Sequence, residues 1–289
     1  MIKIKILDIK DNEYPVILRF IKNPPQKLYT IGNIELLNEF NIAIVGSRSC
    51  SEYGVRTATK FAKELSKLGI NIVSGLAVGI DASAHKGALE NTNRTIAVLP
   101  CGFNNIYPEE NIGLYAKIVE KNGCVITEYP PEKQAEYDTF VQRNRIVSGI
   151  SQGTLVIEAG VRSGTGITAQ FTIDQNKKLF CIPNSIENKY SIGTNNLIQK
   201  GAKLTTNVYD ILKEYEILKN KKIEKSYEKV TVKKEYKFVY DVISDLPIHI
   251  NELCKKLKVN IGEISFILTM LELEGFIKKL PGDRYIINT

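Results

Sequence analysis

The sequence predicts an α/β protein: a doubly wound, mostly parallel sheet followed by a small C-terminal winged-helix module. Three observations predict it. Six short β-branched runs recur at 42–46 (IAIVG), 71–75 (NIVSG), 95–100 (TIAVLP), 124–129 (CVITEY), 154–160 (TLVIEAG) and 179–183 (LFCIP). They are near-continuously apolar, as strands buried on both faces of a parallel sheet are. Helical patterns fill the gaps between them. Near residue 212 the texture changes, first to a charged stretch and then to a compact pattern of three helices and a hairpin.

Taken in order, the opening MIKIKILDIK alternates Ile with Lys and reads as a short strand. It has neither the apolar core nor the small-residue cleavage site of a signal peptide. Residues 1–40 are expected to form a short N-terminal extension packing on the core, and residues 41–212 the core itself. In 54–69 (GVRTATKFAKELSKLG), Val55, Ala58, Phe61, Ala62, Leu65 and Leu68 fall on one stripe of period 3.6, and Gly69 stops the helix. Similar patterns predict helices at 81–89, 109–121, 142–150 and 165–176. Residues 213–237 hold nine Lys and five Glu and read as a charged helix running into an exposed linker. Residues 238–289 form the winged-helix module. Its third helix turns Ile264, Ile267, Leu268, Leu271 and Leu273 inward, Gly275 caps it, and PGDR joins strands at 276–280 and 285–287.

Composition narrows the function classes. The chain has 289 residues, 43% hydrophobic and 25% charged, enough for about two packed domains and wrong for a disordered chain. No apolar run approaches the ~18 residues that span a bilayer, which places the protein in the cytoplasm and off the membrane. The net charge of +7 is spread along the chain and permits an anionic partner without requiring one. Five cysteines without a C-x-x-C pair, and only His85 and His249, argue against a zinc site; no metal or cofactor is expected. Neither Gly-x-Gly-x-x-Gly nor a Walker A sequence is present, so a dinucleotide fingerprint and a P-loop are disfavoured.

The chemistry-bearing residues gather at strand ends. After the first core strand, Gly46, Ser47 and Arg48 read as a phosphate-binding turn, with a helix N-terminus behind it; the alternative is a tight turn bearing a surface arginine. Gly75, Ala77 and Gly79 form a small-residue turn that admits a ligand or another backbone, with Asp81 as the N-cap of the next helix and His85 inside it as an ordinary hydrogen-bonding residue. Phe140, Arg143, Asn144 and Arg145 arrive together at a helix start. They supply either a base-stacking ring with guanidiniums for phosphates, or a core staple with one arginine paired to Glu158. Ser163, Gly164, Thr165, Gly166 and Thr168 make a second hydroxyl-bearing helix start. No residue is assigned a catalytic role. The third winged-helix helix carries Glu263, Glu272 and Glu274 and no Lys or Arg, and so reads as a protein-contact element rather than a major-groove reader.

Assembled, these stretches resemble the DprA/Smf family of DNA-processing proteins. The likeness rests on IAIVGSR with its following YG, SGLAVGIDASAHKGAL, TIAVLPCGFNNIYPEEN, FVQRNRIVSG, EAGVRSGTGITAQ and SIGTNNLIQKGA, in family order across 14–204. The resemblance implies a Rossmann-like core that binds single-stranded DNA, forms a homodimer and loads a RecA-type recombinase onto incoming strands during natural transformation (competence). By position, Gly46, Ser47 and Arg48 match its phosphate turn, Phe140 its stacking aromatic and Ser163 to Thr168 its small-residue turn. The sequence departs where relatives carry a basic residue just before the aromatic: here Tyr137, Asp138 and Thr139 precede Phe140. The rival is a nucleotide phosphoribohydrolase of the lysine-decarboxylase-like (LOG) type. Its catalytic Glu would fall near Gln170, and an amide cannot act as a general base.

Overall fold

The computed structural model describes residues 4–90, 94–160, 163–215 and 232–288. Most of the expected charged linker, residues 216–231, lies outside the described residues. The chain divides into two compact units, Met1–Asn220 and Lys221–Thr289.

In the first unit the strands are β1 (Lys5–Asp8), β2 (Lys27–Gly32), β3 (Asn41–Val45), β4 (Asn71–Ser74), β5 (Thr95–Val98), β6 (Cys124–Thr127), β7 (Gly153–Val156), β8 (Lys178–Cys181) and β9 (Lys203–Leu204). They form one sheet in the order β1-β2-β6-β5-β4-β3-β7-β8-β9. From β6 to β9 every neighbour is parallel, while β2 runs antiparallel to β6 and β1 antiparallel to β2. The sheet is thus mostly parallel, as expected, and the N-terminal residues join it directly. β3 to β7 are buried at every position, because helices cover both faces.

Those helices are α1 (Glu52–Lys67), α2 (Ile80–Leu89), α3 (Ile112–Glu120), α4 (Tyr137–Gly149), α5 (Gly164–Asp174), α6 (Ile192–Gln199) and α7 (Val208–Leu212). Ile146, Val147 and Ile150 at the end of α4 and Ala169 of α5 pack on Ala43, Val45, Val73 and Val98. On the other layer, Ala82 and Leu89 of α2 and Leu114 and Ile118 of α3 pack on Ala97, Leu99 and Val125. Ser51 caps α1 by accepting the Gly54 N–H. Val55, expected on its apolar stripe, is 41% exposed in the first turn; Ala58, Phe61, Ala62 and Leu65 carry the burial.

Strand order reverses between β3 and β7. β3 leads through α1 to β4 on one side, while β7 lies on its other side and leads to β8. In open α/β sheets the crevice beyond the strand C-termini at such a point is where ligands bind.

The second unit contains α8 (Lys237–Tyr240), β10 (Ile248–His249), α9 (Ile250–Leu257), α10 (Ile261–Leu273), β11 (Ile277–Leu280) and β12 (Arg284–Ile287). Its sheet runs β10-β12-β11, all antiparallel, around a core of Val239, Leu253, Ile264, Leu268, Leu271 and Ile277. This is a winged helix. Leu273 corrects the expectation: it is 76% exposed, because two residues beyond Leu271 the helix has turned about 200° away from the core.

Candidate nucleic-acid interface

A cleft of about 810 Å³ opens at the strand ends where the order reverses. The ends of β3 and β4, the mid-face of α4 and the first turn of α5 line it. Of the fifteen residues expected at the site, twelve line this one cleft: Gly46, Ser47, Arg48, Gly75, Ala77, Phe140, Arg143, Asn144, Ser163, Gly164, Thr165 and Thr168. Gly79, Arg145 and Gly166 do not line it.

The turn after β3 is held from beneath. The Ser47 N–H donates to the Glu158 carbonyl at 2.8 Å, so this amide is not available to a phosphate. The fully buried Glu158 carboxylate accepts from the Ser51 N–H and Ser51 Oγ at 2.9 and 2.6 Å. Among the described residues no arginine pairs with it. Gly79 braces the same turn at φ +83°, and a Cβ there would stand 2.5 Å from the Ser47 carbonyl oxygen and 2.6 Å from that of Arg48. Its role is to let two backbones touch, not to meet a ligand. Above them Arg48 is exposed, and its guanidinium lies 4.9 Å from the centroid of the Phe140 ring.

α4 supplies the opposite wall. It starts at Tyr137, five residues earlier than its apolar pattern suggests, because Thr139 Oγ1 accepts the Glu136 N–H and secures the first turn. Tyr137, Phe140 and Asn144 therefore share one face at spacings of three and four. Arg143 forms the floor. It is buried, Nη1 donating to the carbonyls of Gly75 and Val98 at 2.6 and 2.5 Å, and Nε to Asn144 Oδ1 at 3.1 Å. Gly75 is glycine because a Cβ would come within 2.6 Å of that guanidinium. Arg145 corrects the sequence reading. Two positions beyond Arg143 it faces away from the cleft, 8% exposed, with Nη2 donating to Glu128 Oε2 at 2.6 Å.

The floor is an electrostatic unit. Burial draws the Arg143 guanidinium down to about 10, and the nearby Asp81 opposes that. Burial pushes the Asp81 carboxyl up against the pull of Arg143 and of the Gly75 N–H, which donates to Oδ2 at 3.0 Å. Asp81 is thus a brace in the first turn of α2, not its N-cap; Gly79 holds that position. His85 lies below, its imidazole drawn down to about 3 by burial and by Arg143, hence neutral. Thr95 Oγ1 donates to the Ile72 carbonyl, so His85 Nδ1–H donates to Thr95 at 2.6 Å.

The α5 helix start faces the cleft. Ser163 stands at its N-cap with a buried hydroxyl that has no partner among the described residues. A polar group left in that state at a helix N-terminus suits an anionic ligand atom. Gln170 is exposed and donates to Asp174 Oδ1 at 2.8 Å, outside the cleft lining.

Two residues were missed. Tyr137 is 81% exposed on the cleft rim, and Tyr107 meets Phe140 edge-on with centroids 5.4 Å apart. The i, i+3 spacing to Phe140 could have found Tyr137. Nothing local announces Tyr107, which reaches Phe140 from a loop 33 residues upstream.

A family model described as DNA recombination-mediator protein A matches residues 5–216, and one described as the DprA winged helix domain matches residues 229–283. The chain is 38% identical over 212 residues to DNA processing protein DprA of Bacillus subtilis, covering 73% of this chain and 71% of that one. It is 40% identical over 199 residues to protein Smf of Escherichia coli, covering 69% of this chain but only 53% of the relative. Among solved structures, DprA of Streptococcus pneumoniae superposes with a TM-score of 0.71 at 40% identity, covering 74% of this chain and 75% of that one. A Helicobacter pylori DprA structure, described as giving insight into a unique single-stranded-DNA binding mode, superposes with a TM-score of 0.67 at 31% identity, covering 74% and 98%.

Proposed function

The chain belongs to the DprA/Smf family of DNA-processing proteins, and from that premise we propose that its cleft holds single-stranded DNA without catalysing a reaction on it. Arg48 and the Ser163 helix start take phosphates, while Phe140 with its guanidinium neighbour offers a stacking surface to a base. Bound strands are shielded and passed to a RecA-type recombinase by a cytoplasmic homodimer. The H. pylori relative, described by its single-stranded-DNA binding, supports the choice of ligand.

The observation that carries the reading is the contact of Arg48 with Phe140 at 4.9 Å, over a cleft that also collects the hydroxyl-bearing helix start. One cation and one ring at the same mouth suit a ligand that alternates phosphate with base. Arg48→Ala should weaken binding of a fluorescent oligothymidylate by roughly tenfold or more near ~100 mM salt. The slope of log K against log salt should fall by about 0.7. A folded variant with unchanged affinity and slope would overturn the assignment.

A further inference from the structure

A ring on the rim of the cleft has no work inside the protein. Tyr137 is the first residue of α4 and is 81% exposed. Among the described residues its hydroxyl has no hydrogen-bond partner, and its ring meets no other ring and no cation. A single exposed apolar side chain is ordinary on a protein surface. This one is set apart by the way its backbone is fixed and by what surrounds it. Thr139, itself buried, accepts the Glu136 N–H through Oγ1 at 2.9 Å and donates that hydroxyl to the Glu136 carbonyl at 2.8 Å. Lys133 pairs with the Glu136 carboxylate at 2.6 Å. The turn that carries Tyr137 is therefore held while the ring stands in water. Ordering the ring against a ligand then costs only its two side-chain torsions.

The mouth is poor in charge where Tyr137 stands. Among the described residues lining the cleft, Arg48 and Arg143 are the only cations, and Arg143 is committed to the floor. A strand leaving the cleft over the start of α4 meets an aromatic surface there, not a phosphate ligand. Tyr137 and Phe140 line the cleft at i and i+3 of one helix, where side chains begin about 5–6 Å apart. Consecutive bases lie about 3.4 Å apart in a stacked strand and further apart once unstacked, so two neighbours can reach the two rings. Phe140 is braced edge-on by Tyr107, with centroids 5.4 Å apart, and by the Arg48 guanidinium at 4.9 Å. We propose that Tyr137 is a second stacking platform, taking the base next to the one on Phe140, and that the need for two adjacent unstacked bases makes the cleft select unpaired strands. The proposal rests on the single-stranded-DNA reading of the cleft. It adds to that reading a ligand-contacting residue, a smallest ligand of two nucleotides and a source of selectivity. Inside a duplex each base is covered on both faces by its neighbours, so neither ring finds a free one. Every base has a π-face, so the grip tolerates any sequence.

Anisotropy titration of the full chain with a labelled oligothymidylate over a range of salt tests it, with Tyr137→Leu, Tyr137→Phe and Arg48→Ala side by side. Position 137 is exposed, so both substitutions there leave the core untouched. Tyr137→Leu should weaken binding about fivefold or more at every salt concentration. Its log–log salt slope should stay that of the wild type, because stacking on a ring releases no counterion. Tyr137→Phe, which keeps the ring, should stay within about twofold of wild type. On an oligomer of abasic nucleotides, Tyr137→Leu and wild type should bind alike. A loss smaller than about fivefold for Tyr137→Leu, with Arg48→Ala still weakened, would overturn the proposal and leave the reading of the cleft standing. So would a salt slope that falls in Tyr137→Leu, or a Tyr137→Phe as weak as Tyr137→Leu, since either would make the contact one to phosphate. Should Arg48→Ala also bind like the wild type, the single-stranded-DNA reading itself fails and takes the proposal with it.

Discussion

Three guanidiniums stand within reach of a sequence reader looking for phosphate ligands, and the fold gives each a different task. Arg48 is exposed and stacked on a ring, Arg143 is buried under the floor, and Arg145 is locked to Glu128 behind the helix. Among the described residues Arg145 Nε and Nη1 and Glu128 Oε1 have no partners, so the pair is incompletely satisfied. Removing only one member still leaves a carboxylate nearly stripped of water. Arg145→Ala should therefore cost about 3 kcal/mol in urea unfolding. Its affinity for single-stranded DNA should stay within about twofold of wild type, the reverse of Arg48→Ala. A large loss of affinity with intact stability would return Arg145 to the binding surface. Gly79→Ala couples the two effects. A methyl group 2.5 Å from a carbonyl oxygen, on a backbone at φ +83°, must push the Ser47–Arg48 turn away. Loss of about 2 kcal/mol or more, with weaker strand binding, is expected in melting and anisotropy measurements. The sequence shows that these residues are present; it does not show which way adjacent arginines face, because that depends on the helix phase.

At the scale of the element, α4 is the wall of the site and Lys177 is its far anchor. Lys177 Nζ donates to the carbonyls of Ser148 and Gly149 at 2.8 and 2.6 Å, closing the helix C-terminus. Burial draws this amine from 10.5 down to about 7. The folded state therefore holds fewer protons here than the unfolded chain between those values, and stability from this group rises with pH across that window. The helix-end carbonyls favour the charged amine and reduce the effect. Wild type should gain on the order of 1 kcal/mol over Lys177→Met between about pH 7 and pH 9, measured by urea titration. A parallel pH profile for the two proteins would contradict it. The start of α4 was illegible in the sequence because Tyr137 and Asp138 break the apolar rhythm, and a turn fixed by Thr139 leaves no periodic trace. The central parallel strands were legible because burial on both faces forces continuous apolar runs. β2, β9 and β10 were not: β9 and β10 are two-residue edge strands, and β2 runs antiparallel between β1 and β6, so each depends on distant partners.

At the scale of the whole molecule, the net charge of +7 is too diffuse to mark a groove; the concentration of function comes from topology. Strand reversal between β3 and β7 brings residues 46–48, Gly75, Ala77, Tyr137, Phe140, Arg143, Asn144, residues 163–165 and Thr168 to one cleft. All belong to the first unit, Met1–Asn220, which has its own sheet and core. Among its described residues the second unit offers no comparable constellation: α10 lacks cations, and its exposed face is apolar. If strand binding resides in the cleft, the number of phosphates neutralised is a property of the first unit alone. A protein ending at Asn220 should then bind a short oligothymidylate, one that fits a single site, with affinity within about threefold of the full chain. Its log–log salt slope should also be the same, since each phosphate contact contributes about 0.7. A slope that falls by one contact or more on truncation would place a phosphate ligand in the winged helix. An equal affinity of the two proteins at every strand length would remove the winged helix from strand binding altogether.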